Sequence, residues 1–199
     1  MDIINRVKQI LISPKTEWQT IEAENTPHAK VFTNYVVPLA LIPAIAAFIG
    51  YGLIGRTVLG VHIGSIEWGV RQAIMQYVIM LGGIYLTSFV INALADNFGS
   101  RKNFDKAFSL VAYAYTPMFV GGVFYILPSL SWLAMLAGIY SLYLLYIGLQ
   151  PMMKAPAEKQ TSYFVVSLIV LIVIWMVLSF VLSAILLTGA YSVAKGFGF

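Results

Sequence analysis

Four long stretches of the chain carry no charged residue: 31–55, 72–95, 107–153 and 160–194. An α-helix needs about 20 apolar residues to cross a hydrocarbon core of roughly 30 Å. The first two stretches each hold one crossing. The third holds two, because "LPSLS" at 127–131 divides it. Pro128 has no amide hydrogen and disfavours helix at Leu127. The fourth is too short for two crossings and has no central turn signal. The pattern therefore predicts an all-α integral membrane protein with five transmembrane helices in one bundle. The expected spans are 33–54, 72–94, 107–127, 130–151 and 163–188. A β-barrel would show short alternating segments instead.

Residues 1–30 are polar enough to stay outside the bilayer. Ile3, Ile4, Val7, Ile10 and Leu11 share one helical face, and Asp2, Asn5, Arg6, Lys8 and Gln9 share the other. This predicts a short amphipathic helix, lying on the inner leaflet or packed on the cytoplasmic ends of the bundle. Ser13-Pro14 restarts the chain, with Ser as N-cap and Pro at the first helical position. In the second helix Trp18 and Ile21 share a side. Trp18 is expected at headgroup level, as an interfacial anchor without a protein partner. The chain thus divides into a cytoplasmic amphipathic segment, 1–30, and a transmembrane domain, 31–199. In the first span Pro38 and Pro43 predict a kinked or locally broken helix, whose freed carbonyls near Asn34 and Leu39 need partners.

Composition agrees with the periodicity. The chain is 60% hydrophobic and 10% charged, against roughly 25% charged in soluble domains. It has no cysteine, which excludes disulfides, thiolate metal sites and a Cys nucleophile. The first residues, "MDIINRVKQILIS", have no apolar core of signal-peptide length. With five spans, one side holds Arg6, Lys8, Lys15, Lys30, Arg101, Lys102, Lys106, Lys154 and Lys159. The other holds Arg56, Arg71 and Lys195. The imbalance predicts a cytoplasmic N-terminus and an extracytoplasmic C-terminus. The charged island "NFGSRKNFDKAF", 97–108, then becomes a cytoplasmic loop.

Ionisable residues deep in a span usually mark function. None sits centrally in any predicted span. His28 and His62 fall on opposite sides and cannot share a metal. Asp96 and Asp105 make no metal-binding motif, and no serine has a base nearby. The expectation is a non-enzymatic protein without cofactor or metal. Two candidate sites remain. Arg101, Lys102, Lys106, Lys154 and Lys159 share the inner surface, where anionic lipid attracts basic groups, although Asp96, Asp105 and Glu158 dilute them. Asn34, Gln72, Gln76, Ser88 and Asn92 are the uncharged polar groups that a solute path would need, or that neighbouring helices would hydrogen-bond. Small-residue pairs at Ala46/Gly50 and Ala134/Gly138 permit close helix contact, within the bundle or between copies.

Three stretches carry a family resemblance. They are "SPKTEWQTIEAEN" (13–25), "FGSRKNFDKAFSLVAYAYTP" (98–117) and "GIYSLYLLYIGLQPMMKAPAEK" (138–159). In order and spacing they resemble the N-terminal segment, the inner loop and the fourth span of the Yip1-domain family, in particular its bacterial members. The resemblance implies a five-helix membrane domain with a cytoplasmic N-terminus, in the bacterial inner membrane. It points to a role in organising membrane partners or lipids, with the bilayer, other membrane proteins or a second copy as partners and no nucleic acid. The chain has no Asp-Leu-Tyr-Gly-Pro motif, so the Rab-linked role of eukaryotic relatives is not carried over. The alternative is a small-solute transporter or channel.

Overall fold

A computed structural model describes the backbone of residues 2–58 and 61–196, and the side chains of 2–55 and 64–178. Two short helices lead the chain, α1 (Ile3–Ile12) and α2 (Pro14–Glu24). Five helices long and apolar enough to cross a membrane follow. They are His28–Ile54, Ile66–Phe98, Phe104–Ile126, Leu133–Met153 and a fifth that starts at Ala157 and is continuous to Gly196. Five such helices agree in number with the five expected spans. The expected placement of the C-terminal residues 197–199 lies outside the described residues. A two-stranded antiparallel hairpin, β1 (Arg56–Val58) with β2 (Val61–Ile63), links the first two spans.

Helix starts follow local chemistry. The Ser65 hydroxyl accepts from the Trp68 amide at 3.2 Å, and Asn103 accepts from the Lys106 amide at 3.1 Å. Both side chains satisfy amides that a helix N-terminus leaves unpaired.

The third span is the centre of the bundle. Its apolar window is 72% buried by the protein, against 17–44% for the other four. Ala107, Phe108, Leu110, Val111, Ala112 and Phe119 are inaccessible. Around it, side chains such as Ile74, Val78, Phe89, Met135, Ile169 and Ile172 are exposed and apolar. They form the surface that faces lipid.

The prolines of the first span do not break it. α-Helical geometry gives way to π turns at Phe32–Val36, just before Pro38, and at Phe48–Ile54, after Pro43. The Val37 amide reaches back five residues to the Phe32 carbonyl. The departure expected from the prolines is thus a change of turn, which keeps the chain helical where water is absent.

The third span handles its proline differently. It breaks at Tyr115, between helical segments Phe104–Ala114 and Thr116–Gly121. Pro117 cannot donate to the Tyr113 carbonyl four residues back. The Thr116 hydroxyl donates to that carbonyl instead, at 2.6 Å, and pairs with the Tyr35 hydroxyl of the first span at 2.7 Å.

The N-terminal helices are part of the same core. Trp18 is 1% exposed and packs on the fourth span, where a Cβ at Gly148 would come within 2.8 Å of its ring. Trp18 is therefore not the partnerless interfacial anchor expected from sequence. Its apolar face fits a gap that a glycine leaves open. Ile10 and Ile21 are likewise buried, and the Tyr140 hydroxyl of the fourth span donates to the Leu11 carbonyl at 2.8 Å.

Thr116→Val tests the repair of the third span. The substitution keeps the shape and removes the hydroxyl from both the Tyr113 carbonyl and Tyr35. The expected loss is about 1–3 kcal/mol, read as a lower thermal midpoint of the detergent-solubilised protein. Tyr35→Phe, which leaves the Thr116–Tyr113 bond intact, should cost less.

Candidate functional site

The basic residues of the second and fourth loops meet on one patch. The Arg101 amide donates to the Met153 carbonyl at 2.9 Å, which staples the two loops together. Gly99, in the left-handed region at φ 68°, turns the chain so that its α-carbon faces Pro156 and the Lys159 ammonium. Lys154 pairs with the Glu22 carboxylate at 2.9 Å, while Lys106 donates to the Glu22 carbonyl. The hydrogen bond from Lys154 holds the Glu22 carboxyl below its ordinary range, with Lys106 and Arg101 adding to the effect. Lys102 lies 3.7 Å from Asp96.

Arg101, Lys102, Lys106, Lys154 and Lys159 thus form one neighbourhood, tied to the tail through Glu22. All but Lys106 are exposed. Asp105 is occupied elsewhere. It accepts from the His28 amide at 2.8 Å and lies 2.6 Å from His28 Nδ1.

Beside this patch lies a charged cluster that the sequence does not announce. Arg6, expected on the solvent face of α1, is 4% exposed. Its guanidinium pairs with the Glu17 and Glu24 carboxylates of α2 and stands 5.4 Å from the centroid of the Tyr113 ring. Burial pulls the guanidinium down, but the bond to Glu24 and the charges around it leave it above its ordinary value. Arg6 was misplaced because helical periodicity ranks faces by polarity and cannot foresee an ion pair. A signal was present: Glu17, Ile21 and Glu24 fall at i, i+4 and i+7, so acids share the face that buries Ile21. An acid there calls for a buried cation.

The cluster borders a cavity of about 400 Å³ lined by Arg6, Glu24, Lys30, Asn34, Tyr35 and Tyr113, among others. Asn34 is the one member of the expected polar path on this cavity. Ser88 is buried and donates to the Ile84 carbonyl of its own helix at 2.6 Å. Gln72 and Gln76 are half-buried. Asn92 has a buried amide oxygen with no partner among the described residues. The cavity does not gather the five residues into a path. Of the small-residue pairs, Gly50 packs against the Tyr125 carbonyl of the third span, whereas Gly138 faces open space.

The Yip1 domain profile matches residues 8–180. The chain is 32% identical over 156 residues to the inner membrane protein YohC of Escherichia coli strain K12, a match covering 75% of this chain and 80% of that protein. The YohC protein of Escherichia coli O6:H1 matches to the same extent. No solved structure matches.

The buried cluster makes a prediction. Arg6→Gln leaves the nearly buried Glu17 without its counter-charge, a change that costs about 3–5 kcal/mol for a buried pair. α1 and α2 should then detach. A cysteine placed at Ile10, which is inaccessible in the native chain, should become reactive to maleimide in the Arg6→Gln background. Adding Glu17→Gln and Glu24→Gln should restore much of its protection.

Proposed function

The chain belongs to the Yip1-domain family of multi-pass membrane proteins, and from that premise we propose that it is a non-enzymatic organiser of membrane lipids or partners. The observation that carries the reading is the convergence of Arg101, Lys102, Lys106, Lys154 and Lys159 on one surface at the end of the bundle. The charges are built in by the Arg101–Met153 staple and by Glu22. Each basic group near an anionic leaflet contributes roughly 1 kcal/mol, so a fixed group of them selects anionic headgroups or an acidic partner.

The YohC relatives are described as inner membrane proteins. We assign this chain to the same membrane, with the patch and N-terminus cytoplasmic and the 56–65 connection outside. The nine-to-three division of Lys and Arg supports that orientation.

Orientation is checked by single cysteines in this cysteine-free chain. Asn97→Cys, at an exposed position of the patch side, should resist an impermeant maleimide in intact cells. Glu67→Cys, exposed at the other end, should react. The opposite labelling would invert the assignment.

Lipid selection is checked by binding of the detergent-solubilised protein to immobilised vesicles with and without phosphatidylglycerol. Losing two basic groups in Arg101→Gln/Lys102→Gln should weaken the anionic-lipid preference about tenfold or more, and added salt should narrow the difference. Equal binding by both proteins would reduce the loop to a connector that sets orientation.

A further inference from the structure

An open cavity of about 540 Å³ lies where α2 meets the ends of the fourth and fifth spans. Its walls are of two kinds. Trp18, Ile147 and Pro151 supply an apolar floor, while Lys15, Gln19, Gln150 and Gln160 supply a polar rim. Gln150 and Pro151 stand in the last turn of the fourth span, which ends at Met153. The cavity therefore sits at the depth of the headgroups, between hydrocarbon and water.

The rim is partly preorganised. Gln160 Nε2 donates to the Tyr146 carbonyl at 2.7 Å, and the Tyr146 hydroxyl lies 3.1 Å from the Thr161 hydroxyl. Gln160 keeps a second N–H and its carbonyl for a ligand. Lys15 is the one charged side chain among the described residues of the wall, and it is exposed. Trp18 is 1% exposed and closes the floor of the cavity.

We infer that this cavity holds the headgroup of one phospholipid. The phosphate accepts from the Lys15 ammonium and the rim amides. The glycerol and acyl chains pass over Ile147 and Pro151 onto the lipid-facing surface of the fourth and fifth spans. One cation matches the single charge of a phosphodiester. The apolar floor has a use for an amphiphile and none for a free anion. The site differs in kind from the loop patch, which offers several exposed charges without enclosing walls.

The test is native mass spectrometry of the full-length protein released from detergent, with phosphatidylglycerol added as the probe. The wild-type chain should retain one lipid. Lys15→Gln, at an exposed position that folding tolerates, should weaken retention roughly five- to tenfold, the effect of one basic group. Gln19→Ala, at an exposed position of the rim, removes one of the amides and should also weaken retention. Arg101→Gln/Lys102→Gln should leave this one lipid in place, which separates the site from the patch. Millimolar inorganic phosphate should not displace it. Retention unchanged in both Lys15→Gln and Gln19→Ala would overturn the assignment. So would loss confined to the Arg101/Lys102 variant. Displacement by inorganic phosphate would mark a site for a soluble anion and overturn the lipid reading.

Discussion

Inside hydrocarbon a backbone amide or carbonyl has no water to bond, so each must find its partner within the protein. Much of this fold is a response to that constraint. It makes every span a helix, and it decides what happens at each proline. In the first span the turn widens to π geometry on either side of Pro38 and Pro43, and the chain continues. In the third, a side chain replaces the missing donor. The Thr116 hydroxyl serves the Tyr113 carbonyl and is itself held by Tyr35 from the neighbouring span. The repair ties two helices together, so a local defect becomes a tertiary contact at the centre of the bundle.

Charge is handled on the N-terminal side with the same economy. The tail contributes Arg6, Glu17, Glu22, Glu24 and His28, and each finds a partner. Arg6 joins α1 to α2 through Glu17 and Glu24. Glu22 holds Lys154, which follows the fourth span, and Lys106, in the first turn of the third. His28 meets Asp105 at the start of the third span. The tail is therefore not an appendage that happens to lie near the membrane. It organises the ends of three spans, and in doing so it shapes the basic patch and forms one wall of the cavity beside Trp18.

The functional reading follows from where polarity is concentrated. The lipid-facing surface is apolar and the centre is filled by the third span. Fixed charge and the two polar-walled cavities gather at one end. The proposed role at the membrane surface rests on that arrangement. Ser88 makes the same point from within, since its hydroxyl is spent on the Ile84 carbonyl of its own helix.

The number of spans was legible because crossing a bilayer is a property of consecutive residues, namely length and apolarity. The break at 127–131 was equally local: Pro128 opens a short 3-10 turn there. The residues of the basic patch could be named, because topology alone puts alternate loops on one side. What the sequence could not supply was contact between distant segments. Arg6 has the polarity of a solvent-facing residue and Trp18 that of an interfacial one, and periodicity assigned them so. Only folding brings Glu17 and Glu24 to the first, and only the missing side chain of Gly148 makes room for the second. The five spans were determined by the free energy of each segment in lipid. The seating of the tail was decided by complementarity of charge and shape between segments far apart in the chain.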